Sequence, residues 1–414
     1  MRTHDEVMQL APTPEATGST RAGRPRWWPH FRSPLRSTAV TARLGRAVGI
    51  CFAVCFVTGM LSHYQYHPWE WLPEPAHPVS AYRVTQGLHV TTGVATIPLL
   101  LVKLWSVYPN LFRWPPVRSV AHGLERLLVF VLVASALVQL TTGFLNTLNW
   151  YPWPWSFPST HRYLGYVLIG STLLHIAMKL PDIKYGLQAR LADADVLTEI
   201  PWNENPLAHS NAGTVAPPEM PALDRRGLFV AVGSGLGAVV LTTVGQTVTP
   251  LAPIGLLATR EASKGPQGVP VNKTAKSARV LGLARAEDWR LEVAGPTPFT
   301  LTLAELESMK SVPRHFPISC VEGWSVGAEW LGIPVIDLVQ RAGGSASSRV
   351  EVFSLQPNGY NHSVLQGPQI SAALLATHLN GARLNLDHGY PLRLIAPNRP
   401  GVLQTKWLRR VEVT

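Results

Sequence analysis

The sequence predicts an all-α transmembrane bundle of four helices, with a fifth tethering helix leading to a separate C-terminal domain. Three observations carry this. Only 15% of the 414 residues are charged, against about 25% in soluble domains. Five uncharged stretches, 47–62, 84–102, 127–148, 163–178 and 227–259, approach or exceed the roughly 20 apolar residues that cross a bilayer. Basic residues are dense in every second inter-span segment and sparse in the others.

That alternation sets the orientation. Residues 1–46 hold eight arginines and are expected to form a disordered, basic cytoplasmic arm. Residues 63–83 hold only Arg83, whereas Lys103, Arg113, Arg118 and Arg126 lie between spans two and three. Between spans three and four only Arg162 occurs, and Lys179, Lys184, Arg190, Arg225 and Arg226 follow span four. Cytoplasmic segments collect Lys and Arg, so the N-terminus is expected inside a cell membrane and the C-terminal domain outside it. Residues 47–180 form the four-helix unit and 181–226 a cytoplasmic linker. The Trp/Pro-rich segments 67–75 and 149–155 fall at the outer interface, where amphipathic rings gather. The net charge of +11 is read as these flanks and not as a nucleic-acid surface.

The fifth span has its own signal. Asp224-Arg225-Arg226-Gly227-Leu228-Phe229 followed by a Gly-spaced apolar stretch resembles a twin-arginine export signal.

Polar residues within spans are functional by default. His161 and His175 stand 14 residues apart on span four, about 21 Å of rise and about 40° short of four whole turns. Both imidazoles therefore face one side at different membrane depths. His89 lies in the outer third of span two, level with His161, between Gly87 and Gly93. These spacings resemble the haem b subunits of the formate dehydrogenase and cytochrome b561 type. The resemblance implies one haem b, or two, with His89 and His161 as the outer axial ligands. For the inner site it leaves His175 with His122 as partner, because Arg43–Arg46 occupy the place of the family's helix-one ligand. His63 is an alternative outer ligand or a quinone-site residue, while His67 and His77 belong to the loop.

Three cysteines provide no disulfide framework. Cys51 and Cys55 share one face of an apolar span. Cys320, in SCVEGWSVGAEWLGIP, stands apart, with DHGYPLRLIAPNRPGVLQTKWLRRVEV following at 387–413. In this order the two blocks resemble the molybdenum-cofactor domain of the sulfite oxidase family, over residues 265–414. The resemblance implies an α+β sulfite oxidase-type molybdopterin-binding domain, with Cys320 as the thiolate on molybdenum. It assigns His388 and Arg393 to the pterin, Lys406 with Gln404 and Thr405 to its terminal phosphate, and Asn272 and Ser354 to further cofactor contacts. The chemistry suits these residue types, since Arg offers a rigid two-pronged donor and Lys a point charge to an anion.

Sulfite-oxidising members of that family continue into an immunoglobulin-like domain carrying an active-site tyrosine, whereas this sequence ends at Thr414. Tyr360 is the candidate for that hydroxyl, and the layout resembles the periplasmic methionine sulfoxide reductase branch. The expected function is quinone-linked reduction of a small S-oxide or N-oxide. A sulfite dehydrogenase feeding quinone is the enzymatic alternative. A haem-bearing electron-transfer or sensor protein that has lost its molybdenum is the non-catalytic one.

Overall fold

A computed structural model describes residues 33–192 and 224–414, apart from positions 34, 70, 113–115, 259, 262–263 and 286. The expectations for residues 1–32 and for most of the 181–226 linker lie outside the described residues. Among the described residues, five helices are long and apolar enough to cross a membrane. They are α1 (Thr38–Tyr66), α2 (Ala81–Val107), α3 (Val120–Thr147), α4 (Phe157–Gln188) and α5 (Arg225–Val244). Val48 and Phe52 of α1, Leu99 and Leu100 of α2, Ala136 of α3 and Leu168 of α4 meet in a shared core, against which Val232 and Leu236 of α5 pack. The outward faces are apolar too, as with Leu124, Phe130 and Leu173, so these helices are hydrophobic all round.

Three boundaries differ from expectation. Residues 181–188, expected in the linker, continue α4. Residues 38–46, expected in the disordered arm, are the first turns of α1. Ser37 caps them by accepting from Val40 N, which satisfies an otherwise orphaned helix-start amide. Arg43 donates to the carbonyls of Gly186 (3.2 Å) and Ala189 (2.9 Å) at the end of α4. Gly186 has no room for a side chain there, since a Cβ would lie 2.6 Å from the Thr38 carbonyl oxygen. The fifth span, expected to run over 227–259, is helical only to Val244. Pro250 and Pro253 remove donors that a continued helix needs, and the chain folds back at Gly245, where a Cβ would meet Leu251 O at 2.5 Å.

The C-terminal part is α+β. One sheet has the order β2-β1-β10-β5-β6 and the other β3-β4-β7-β8, with β9 paired to β7. The strands are β1 (Arg290–Ala294), β2 (Phe299–Thr302), β3 (Val312–Ser319), β4 (Ser325–Pro334), β5 (Arg349–Ser354), β6 (His362–Gln366), β7 (Leu374–Leu379), β8 (Ala382–Arg383), β9 (Arg393–Ile395) and β10 (Leu408–Val413). Alternating burial along β1 and β5 reflects sheets with one face on a core. That core joins Leu291, Val350, Leu365, Leu394 and Val411.

The two parts meet where α1, α3 and α5 end and α2 and α4 begin. The β3–β4 connection, residues 320–324, sits on the first turns of α2 and on the reversal after α5. Gln86 donates to Val321 O (2.8 Å), Thr247 Oγ1 to Gly323 O (2.7 Å) and Ser325 N to Gln246 O (2.9 Å). Gly323 has φ +100°, and a Cβ there would lie 2.9 Å from both Val90 Cγ1 and Gln246 Nε2. A second contact uses the loop after α1. Asn398 Oδ1 accepts from Gln65 Nε2 (2.9 Å) and Tyr82 N (2.8 Å), and its amide donates to Pro75 O (2.9 Å). Beside it Glu74 and Arg399 pair at 3.1 Å, each 3% exposed.

Candidate functional site

Cys320 follows β3 directly, in a turn closed by Cys320 N donating to Trp324 O (2.9 Å) and Gly323 N to Cys320 O (3.1 Å). The thiol is buried, and Asn272 Nδ2 approaches its sulfur at 2.8 Å. Burial pushes the free thiol up to about 12, with the nearby Glu322 carboxyl adding to the effect. Only a strong local cation, such as a bound metal, reverses that balance and favours the thiolate. Glu322 itself is buried, accepts from Trp324 Nε1 (3.2 Å) and lies 3.5 Å from Arg260.

A second cluster gathers the downstream motif. His388 ends a short 3-10 turn at Leu386–His388, and its Nε2 meets Pro266 O at 2.7 Å. Burial and the Arg393 cation pull His388 down to about 4, so the ring is neutral and Nε2 carries the proton that reaches the carbonyl. Arg393 opens β9, is 2% exposed and donates to His388 O (3.1 Å), while its Nε has no hydrogen-bond partner. Burial draws its guanidinium down to about 9. Lys406 donates to Asp387 O (2.6 Å) and Lys273 O (3.1 Å). Burial, reinforced by Arg393, holds its ammonium well below the usual lysine range. Two desolvated cations that donate to main-chain carbonyls, one with an orphaned N–H, fit an anionic group such as a pterin phosphate.

The other sequence candidates fall in two classes. Gln404 is buried, donates to Ala396 O (3.3 Å) and Arg399 O (3.4 Å), and leaves its Oε1 unpartnered. Ser354 Oγ donates to Lys406 O (2.7 Å) and accepts from Gln356 N (3.0 Å), so it holds the Lys406 segment in place. The Thr405 hydroxyl bonds Ser363 on β6. Tyr360, in the turn between β5 and β6, is 52% exposed and lines the same cavity as Cys320 and Asn272.

That cavity, of about 1000 Å³, extends from Cys320 into the helical part. There His89 of α2 and His161 of α4 face each other with ring centroids 6.2 Å apart. His89 Nδ1 lies 2.9 Å from Cys55 O, so it carries the proton and leaves Nε2 as a free lone pair. His161 Nδ1 is buried without a partner. Gly59 and Gly143 pass so close to these rings that a Cβ would lie 3.2 Å from each Cε1. His63 is not in this pair. Its Nε2 accepts from Arg162 Nη1 at 2.9 Å, and its ring stands 5.1 Å from that of His67. His175 sits nearer the far end of α4, under the influence of Lys103, Lys179 and Glu125.

Sequence reasoning missed the groups that the helical part sends toward Cys320. Tyr66, Tyr82 and Tyr151 lie within electrostatic reach of its sulfur, and Gln86 holds its loop. The one available signal was their place at helix ends.

Residues 278–414 match the family described as "Oxidoreductase molybdopterin binding domain". Sulfite oxidase of Gallus gallus is 31% identical over 159 residues, 30% of this chain and 35% of that protein. The oxidoreductase YuiH of Bacillus subtilis is 29% identical over 130 residues, 30% of this chain and 65% of that protein. The protein-methionine-sulfoxide reductase catalytic subunit MsrP of Ralstonia nicotianae is 30% identical over 152 residues, 32% of this chain and 46% of that protein. The chain therefore spans between 35% and 65% of the length of these relatives. Residues 278–414 are a molybdopterin-binding oxidoreductase domain of the sulfite oxidase family.

Proposed function

We propose that this chain is a membrane-bound molybdenum oxidoreductase that draws electrons from the quinone pool through haem b and uses them to reduce a small S-oxide or N-oxide. The observation that carries the reading is the single cavity holding both the His89–His161 pair and Cys320. Donor and acceptor centres in one cavity need no separate carrier protein between them.

The residues fit both groups. Two metal–nitrogen bonds of about 2 Å plus two imidazole radii add to about 6 Å, and the rings of His89 and His161 stand 6.2 Å apart. The carbonyl of Cys55 on His89 Nδ1 fixes the tautomer, as outer-shell partners of ligating histidines do. We assign one haem b, at the outer pair. The cations Lys103 and Lys179 beside His175 disfavour a second ferric porphyrin there.

Molybdopterin, when bound, supplies a metal that exchanges two electrons as an oxygen atom moves. Cys320 would hold that metal, with Asn272 orienting the sulfur. Arg393 and Lys406 would neutralise the anionic tail, and neutral His388 would keep its ring proton on the Pro266 carbonyl. The balanced reaction joins X=O, two electrons and two protons into X and water, while a quinol releases the same two electrons and two protons. The Glu322 carboxyl beside Cys320 and the surrounding phenols suit a neutral oxo donor better than the sulfite dianion. MsrP, a protein-methionine-sulfoxide reductase by name, supports a sulfoxide as the oxo donor but not its size.

The orientation read from the basic residues puts the C-terminal domain on the outer face, with Arg225-Arg226 as its export signal. Metal and haem analysis of the purified full chain tests the reading. Molybdenum and haem b each equimolar with the chain are expected. Absence of molybdenum after expression with an adequate cofactor supply would leave the sensor alternative.

A further inference from the structure

The Cys320 turn does not face open solvent. Gly323 lies against Val90 so tightly that no side chain fits, and Gln86 and Asn146 both donate to Val321 O, at 2.8 and 3.5 Å. Asn146 is itself set by Tyr151, whose hydroxyl donates to its Oδ1 at 2.8 Å. The cavity at Cys320 is consequently walled from both parts: Tyr66, Gln86 and Tyr151 on one side, Asn272, Cys320 and Tyr360 on the other. Trp155, which also lines the cavity, stacks on Trp153 at 4.4 Å in the segment that follows Tyr151.

We infer that the helical part supplies one wall of the substrate pocket, that Tyr66 and Tyr151 are specificity-determining residues there, and that the pocket takes small-molecule oxo donors and excludes sulfoxides carried on a polypeptide. This rests on the oxo-transfer reading above. A sulfoxide on a protein side chain would have to bring its backbone between the two parts, where Gln86, Gln246 and Thr247 already bond the turn that carries Cys320. A small oxo donor has only to enter the cavity. There the phenol of Tyr66 can donate to the oxygen that leaves, a role of the kind that transition-state donors play, while Tyr151, whose proton is held by Asn146 Oδ1, sets the wall through Asn146 and Val321 O.

The test uses the full chain, loaded with molybdenum, in detergent, with reduced viologen as donor. Dimethyl sulfoxide and free methionine sulfoxide are compared with oxidised, unfolded casein. The free sulfoxides should be reduced with a kcat/KM about 100-fold or more above that for the casein. Tyr66→Phe and Tyr151→Phe keep the ring and should each lower kcat/KM for the free sulfoxides by about 10-fold, with the haem spectrum unchanged. Equal rates on casein, or wild-type kcat/KM in both variants, would overturn the inference.

A second measurement needs no turnover. In the full chain carrying Cys51→Ala and Cys55→Ala and expressed without the cofactor, Cys320 is the sole thiol. Methylmercury, which displaces the thiol proton, should bind it, and a polyethylene-glycol maleimide should not; labelling by both, or by neither, would overturn the inference. A loaded wild type that reduced no small oxo donor would instead overturn the proposed activity, and the thiol labelling would still decide the pocket.

Discussion

Removing either partner of the Glu74–Arg399 pair should loosen the C-terminal domain from the helices. The two side chains are each 3% exposed and 3.1 Å apart, and Arg399 also donates to Val364 O (2.8 Å). Above the pH at which Glu74 ionises, deleting one member of the buried pair strands the other's charge and costs about 3–5 kcal/mol. For a unit of this size that corresponds to a drop in the melting midpoint of about 6–20 °C. Replacing both by apolar residues, as in Glu74→Leu with Arg399→Met, should recover most of the loss, because no charge is then left buried.

The pH dependence has a definite sign. Burial raises the Glu74 carboxyl to about 8, with Arg399 only partly opposing it. The folded protein therefore holds a proton that the unfolded chain releases near 4.5, so stability falls as pH rises through that window. Glu74→Gln should flatten this slope. Tryptophan-fluorescence melts of the full chain in detergent, from pH 5 to 9, read both effects. Single variants that melt with the wild type, or a double variant as unstable as the sum of the singles, would refute the reasoning.

Three further outcomes follow from the same geometry. Gly323→Ala adds a Cβ at a positive φ and against Val90; it should lower stability by about 1–3 kcal/mol and reduce viologen-driven turnover, since the turn bearing Cys320 must move. His161→Ala should abolish the low-spin haem signal and quinol-driven turnover while reduced viologen still supports oxo transfer. An unchanged haem complement would redirect attention to His63. A reporter active only outside the cytoplasm should work after Thr414 and fail near Tyr185, and the reverse pattern would invert the orientation.

The sequence makes the helices legible because lipid-compatible composition is a one-dimensional property: runs of uncharged residues suffice. Their ends are less legible. The start of α1 depends on a Ser37 cap and on Arg43 reaching α4, a contact between residues far apart in the chain. The end of α5 depends on Gly245 meeting Leu251 and Gly255 after the chain has turned. In the site, Cys320, Arg393 and Lys406 are readable because each lies in a contiguous block, around Cys320 and at 387–413, and their chemistry is specific. Tyr66, Gln86 and Tyr151 carry no such motif, and they reach Cys320 only because the β3–β4 turn seats on α2. Ser354 and Thr405 look equivalent to the other polar candidates in sequence. Only the fold reveals that their hydroxyls serve Lys406 O and Ser363.

The central claim is that the histidine pair and Cys320 form one electron path within a single chain. The most direct measurement is anaerobic stopped-flow absorbance of the purified, molybdenum-loaded full chain with haem and molybdenum both reduced beforehand, so that together they hold the two electrons each sulfoxide takes. Mixing with dimethyl sulfoxide should reoxidise the haem in the wild type and leave it reduced in Cys320→Ser, whose haem spectrum is otherwise normal. Reoxidation at the same rate in both proteins, or in neither, would contradict the account.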